Sequence, residues 1–109
     1  MCFEWDEVKN RRNPRKHRIN FESARLVFCE PDVLAEQDRE VDDEERWLAV
    51  GVIGGSATVV VAYTFREEGD DEVIRNISAR KASPRERRAY AEGNWPPGWG
   101  AGKPSANEG

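Results

Sequence analysis

The sequence predicts an α+β domain: a small antiparallel sheet, made of a short N-terminal strand and a three-stranded meander, packed by two N-terminal helices and one C-terminal helix. Three observations lead there. Residues 47–65 carry no charged side chain and are interrupted by Gly54-Gly55-Ser56, and their wealth of Val and Thr reads as two strands joined by a turn. Residues 73–79 supply a third apolar run. Ser83-Pro84, with Glu86 three positions after the serine, then writes a helix start: a cap, a residue with preset φ, and a capping box.

The remaining elements follow along the chain. Cys2 to Trp5 is a short strand, with Phe3 and Trp5 on one face by its period of two. Asp6 caps a helix to about Arg12, and Asn13-Pro14 breaks it or restarts it as a single turn carrying Lys16 and His17. Asn20 caps a second helix, Ile19 staples onto Ala24, and Phe21, Ala24, Val27 and Phe28 form its buried stripe. Residues 33–45 are acidic and read mostly as loop, with a short edge strand near Val33 as the alternative. Residues 46–53, 57–65 and 73–79 are the meander, and the capped helix runs to about Glu92. The domain is therefore placed at residues 1–92. Residues 93–109, with five Gly and three Pro, read as a disordered tail in which Trp95 and Trp99 are incidental.

Charge is segregated. The formal net charge of −4 conceals a stretch from Lys9 to Arg18 with six Arg/Lys and no acid, and one from Glu30 to Glu45 with nine acids and one Arg. Arg75 to Tyr90 adds six Arg/Lys against the single acid Glu86. Such basic blocks suit phosphate or an acidic partner, and read equally as solvated helix faces. Two cysteines build no disulfide framework, which points to reduced thiols and a cytoplasmic protein. Residues 47–65 are long enough to span a membrane, but the hairpin reading is preferred, and no membrane partner is expected. With one histidine and two cysteines, neither a zinc site nor another metal site is legible, and no cofactor is expected.

That inventory suits metal-free RNA cleavage. A ribose 2′-OH attacks the adjacent phosphorus, one group accepts its proton, another protonates the leaving 5′-oxygen, and cations stabilise the added negative charge. His17 is the only imidazole, the side chain suited to proton transfer near neutral pH. Arg80 and Lys81 stand where a strand gives way to the capped helix, whose first N–H groups favour an anion. On a regular strand Arg75, Ile77 and Ala79 share one face, and Asn76, Ser78 and Arg80 the other. Arg75 and Arg80 are thus expected on opposite faces, with Arg75 a structural partner for the acidic loops.

At the level of family, Phe3-Glu4-Trp5-Asp6, Lys9, Asn13, Lys16-His17, Ile19, Phe21-Glu22 and Ala24 resemble the opening of BrnT toxins. Arg46-Trp47, Gly51, Arg75, Ile77-Ser78-Ala79-Arg80, Ala82 and Arg85-Glu86-Arg87-Arg88-Ala89-Tyr90 match the rest, so the resemblance covers Phe3 to about Glu92 in order. Two positions depart from the pattern: Arg18 replaces a usual Gly after Lys-His, and Asn76 a usually apolar residue. The resemblance implies a RelE-like fold and an endoribonuclease toxin of a bacterial type II pair that inhibits translation. It also implies neutralisation by a BrnA-like ribbon-helix-helix antitoxin in a heterotetramer that represses its own operon, operator DNA being bound only through the antitoxin. Arg80, His17, Lys16 and Arg46 are then the candidate catalytic residues, and Arg75, Lys81, Arg85, Arg87, Arg88 and Tyr90 the candidate RNA-binding ones. The competing reading is a non-catalytic protein- or nucleic-acid-binding module using the same basic patches.

Overall fold

Five strands and three α-helices make up the protein in a computed structural model that describes residues 1–41 and 43–95. They are β1 (Cys2–Trp5), α1 (Glu7–His17), α2 (Phe21–Ala24) with a 3₁₀ extension (Arg25–Cys29), β2 (Leu34–Val41), β3 (Glu44–Ile53), β4 (Ala57–Glu68), β5 (Asp71–Lys81) and α3 (Pro84–Ala91). The strands form one sheet in the order β1-β5-β4-β3-β2. β1 pairs with β5 in parallel, and every other pair is antiparallel. The α+β class holds, but the sheet is larger than expected and mixed.

The added strand is β2, where the acidic run reads as loop. Leu34 pairs with Val50 and Glu36 with Leu48, and the register breaks between Gln37 and Arg39. An edge strand needs only one covered side, and charge with a bulge guards its open edge against further pairing. Its pattern is therefore too polar to show as a strand without β3 beside it.

α1 is also longer than expected, because it continues through Pro14. Proline removes a helical N–H, and the loss is offset by tertiary bonds made by two buried asparagines. Asn10 Oδ1 accepts the Phe21 N–H at 2.7 Å, and its Nδ2 donates to Glu22 at 3.0 Å. Asn13 Nδ2 donates to Ile19 O at 2.6 Å and to Ala79 O at 2.8 Å, while its Oδ1 accepts the Ala79 N–H at 3.3 Å. Asn13 is thus no helix breaker. It does for the edge of β5 what a further strand would do, just beyond the point where β1 ends. α1 closes on Arg18 in the left-handed region (φ 63°), a conformation that glycine adopts most readily.

The expected caps are present: Asp6, Asn20, and Ser83 with its full capping box. Helix 2 tightens into 3₁₀ after Ala24, yet Phe21, Ala24, Val27 and Phe28 still pack on the sheet. Gly51 permits this approach, since a Cβ there would lie 3.2 Å from Val27 Cγ1. Beneath α1 and α2 the core contains Val59, Val61, Tyr63, Ile74 and Ala79. On the opposite face α3 packs over Val50, Val60 and Ala82. Trp95 is buried in that second cluster (8% exposed), so packing continues past the boundary expected at Glu92, and Trp95 is not incidental. Trp99 lies outside the described residues.

The third strand breaks its own alternation. Ala62 pairs with Ser78 but Tyr63 with Asn76, leaving Ile77 as the extra residue of a β-bulge. Asn76 therefore lies on the helical face beside Tyr63, 1% exposed, with neither amide atom hydrogen-bonded. Beyond the bulge Ala79 returns to the helical face.

Candidate nucleic-acid interface

The bulge corrects the expected parity: Arg75 and Arg80 share the face opposite α1. Cross-strand partners present their side chains on one side of a sheet, so the register builds this surface row by row. One row runs from Glu4 to Arg75 to Thr64, with Arg46 one step beyond the Trp47–Tyr63 pair. The next holds Ser78, Ala62, Leu48 and Glu36, and the third Arg80, Val60, Val50 and Leu34. α3 covers the apolar end of the third row. Arg46, Arg75 and Arg80 thus lie on one face, around Ser78.

Each arginine is held differently. Arg80 donates from Nη1 and Nη2 to the two carboxylate oxygens of Glu86, at 2.7 and 2.9 Å. Burial opposes charge on Glu86, but bonds from Arg80 and from the Ser83 N–H outweigh it and keep the carboxyl below its usual range. Arg80 is therefore not the free junction residue that its place in the sequence suggests. Arg75 Nη1 donates to Glu4 Oε2 at 3.0 Å, so its partner is an acid of the neighbouring strand β1 and not one of the acidic loops. Glu4 also receives both Nη groups of Arg66, and these bonds, Arg66 first, lower its pKa to about 2. Arg46 is half-buried, and its Nε–H has no hydrogen-bond partner.

Around the edge of β5 lies a second cationic surface. Lys9, Arg12, Asn13, Lys16 and His17 of α1 form a groove of about 210 Å³ with Ile77 and Ser78. Their spacing marks one face of a continuous helix, so Lys9 and Arg12 join a set in which Lys16 and His17 were the expected members. That signal is lost once Pro14 is taken as a break. Ser78 belongs both to the groove and to the row between Arg75 and Arg80, so the two surfaces meet at the β5 edge left bare by β1.

The other expected RNA-binding residues are more scattered. Lys81 is exposed at the end of β5, and Arg85, Arg87 and Arg88 are exposed on α3. Tyr90 packs against the second core and lines a different groove, of about 620 Å³, with Asp32, Leu34 and Glu92. Burial, followed by the charges of Asp32 and Glu30, pushes its phenol up. Among the described residues no group of three or more His, Cys, Asp or Glu is placed to hold a metal ion, and no helix is long and apolar enough to cross a membrane.

Against known proteins, the chain matches over residues 5–86 the family described as "Ribonuclease toxin, BrnT, of type II toxin-antitoxin system". It is similar in structure to the Brucella abortus ribonuclease toxin BrnT, solved by crystallography, with a TM-score of 0.53 and 24% sequence identity over 76% of this chain and 99% of that one. At this identity the likeness speaks for the fold. No curated protein matches the chain. The family match spans well over half of the sequence and includes Arg46, Arg75, Arg80 and the α1 groove; the chain belongs to the BrnT ribonuclease toxins of type II toxin–antitoxin systems.

Proposed function

We propose that this chain is an endoribonuclease toxin that cuts RNA without a metal ion beside the edge of β5 beyond the end of β1. The carrying observation is the meeting of two cationic surfaces at Ser78: Arg46, Arg75 and Arg80 on the sheet face, and Lys16 and His17 in the α1 groove. Arg80 and Arg46 grip the scissile phosphate, and Arg75, Lys81, Arg85, Arg87 and Arg88 guide the flanking backbone. The 2′-oxygen loses its proton and bonds to phosphorus, the P–O5′ bond breaks, and the 5′-oxygen gains a proton. The products are a 2′,3′-cyclic phosphate and a 5′-hydroxyl. His17 and Lys16 stand ready for the two proton transfers, and the guanidinium groups stabilise the charge that builds on phosphorus.

In the cell this activity would inhibit translation from the cytoplasm, within a RelE-like framework. Neutralisation would come from a BrnA-like antitoxin with a ribbon-helix-helix portion, in a heterotetramer that represses its own operon through the antitoxin's grip on DNA. Membership of a type II toxin–antitoxin family supports an antitoxin partner. The purified chain should cut an RNA oligonucleotide in EDTA, leave an otherwise identical strand with 2′-deoxyribose at the cleavage site intact, and lose cleavage in His17→Ala and Arg46→Ala. A competing reading, in which the same patches only bind, is favoured by the carboxylates that already occupy Arg75 and Arg80. Tight RNA binding with no cut product under any of these conditions would establish it.

A further inference from the structure

We propose that Glu86 is a positioning residue for RNA cleavage, acting through Arg80. The inference rests on the ribonuclease reading above. A capping-box glutamate needs only to reach back to the cap N–H, and it does this from the solvent side of a helix. Glu86 does more. It is 4% exposed, and carboxylates reach such burial almost only when paired. Its Oε1 accepts the Ser83 N–H at 2.9 Å and Arg80 Nη1 at 2.7 Å, while Oε2 accepts Arg80 Nη2 at 2.9 Å. The Glu86 N–H in turn donates to Ser83 Oγ at 3.1 Å.

The carboxylate is thereby fixed to the first turn of α3, and the guanidinium is fixed to the carboxylate. The pair is end-on, through the two Nη groups, so the Nε edge of Arg80 takes no part in it. Arg80 remains 39% exposed, beside Ser78 on the sheet face. An arginine held this way can offer Nε–H and an outer Nη–H to two phosphate oxygens without first losing rotamer freedom. Glu86 thus sets the plane in which Arg80 meets the phosphate, and misplacing a catalytic group by about 1 Å costs roughly 100-fold in rate.

Four forms of the full chain separate the roles: wild type, Glu86→Gln, Glu86→Asp and Ser83→Ala. Each is measured for melting temperature, single-turnover cleavage of an RNA oligonucleotide, and affinity for the same strand carrying 2′-deoxyribose at the cleavage site. Gln still completes a capping box but loses the charge that orients Arg80, whereas Asp keeps the charge and shortens the reach. Both should lose about 10- to 100-fold in cleavage rate, with affinity for the uncleavable strand within about threefold of wild type. Ser83→Ala removes the other half of the box without touching the ion pair. It should melt lower and still cleave within about threefold of wild type. Cleavage unchanged in Glu86→Gln, or cleavage that merely follows melting temperature across the set, would make Glu86 structural and overturn the proposal. A wild type that binds but never cuts would instead overturn the ribonuclease reading and this proposal with it.

Discussion

Replacing Asn13 with alanine should be the most damaging single change on α1, although no charge or apolar surface is lost. The side chain makes three hydrogen bonds to main chain, two to Ala79 and one to Ile19. Its truncation leaves the N–H and C=O of Ala79 and the C=O of Ile19 without these partners. Each buried polar group left unpaired costs about 1–3 kcal/mol, and partial access of water at the β5 edge brings the sum to about 3–5 kcal/mol. That is a large share of the roughly 5–15 kcal/mol that keeps a domain folded. For a domain of this size the melting temperature should fall by at least about 12 °C. Thermal melts by circular dichroism give the loss, and hydrogen exchange of the Ala79 amide shows whether it arises at this edge. A melting temperature within about 4 °C of wild type would refute the idea that an asparagine closes the sheet here. Asn13→Asp should be no better, because it keeps an acceptor for the Ala79 N–H but turns a charge toward two carbonyls.

Four further outcomes are expected. Arg80→Ala should lower stability by about 1–3 kcal/mol, since it strands the buried Glu86 carboxylate while opening it partly to solvent, and a melting temperature equal to wild type would show that Glu86 needs no partner. Trp95→Ala should cost about 3 kcal/mol by opening a cavity beside Val50 and Ala89, measured by urea titration; a negligible change would place the end of the folded unit at Glu92 after all. Asn76→Val should raise the melting temperature by several degrees, because it removes a buried donor and acceptor that have no partner, and a lower value would mean the amide is satisfied in solution. The folded pKa of Glu4 lies below its ordinary value, so its ion pairs stabilise the protein above about pH 4.5 and are lost as pH falls toward about 2. The difference in melting temperature between wild type and Glu4→Gln should accordingly be constant near neutrality and shrink across that interval.

Features carried by neighbouring residues were legible from sequence, and features that need a distant partner were not. Ser83, Pro84 and Glu86 write a helix start within four positions, and Gly54-Gly55 a hairpin turn with both residues at positive φ. Pro14 reads as a break because the bonds that hold α1 across it come from Phe21, Ile19 and Ala79, up to 66 positions away. β2 hides because its polarity is explained only by β3 beside it. The same holds at the site. Arg80 stands out by its strand-to-helix junction and His17 as the only imidazole, while Lys16 and Arg46 come with the family resemblance, but strand parity sets Arg75 and Arg80 apart, and only the register with β4 reveals the bulge that reunites them. The grip of Glu86 on Arg80 crosses a strand-to-helix turn at a spacing of six, which belongs to neither helical nor strand periodicity.

The parallel pairing of β1 with β5 has a consequence for the order of events during synthesis. Cys2 meets Val73 and Trp5 meets Asn76, so β1 must wait for β5, about 70 residues later, before it can pair. α1 is held to Ala79 by the same closure, and the groove between α1 and β5 therefore has no existence in a partly made chain. Contacts of such long sequence separation form late and slowly, because a large loop must close before any of them is gained. A chain built on this plan has no assembled groove between α1 and β5 until β5 has been translated, and whatever recognises that surface meets only a nearly finished fold.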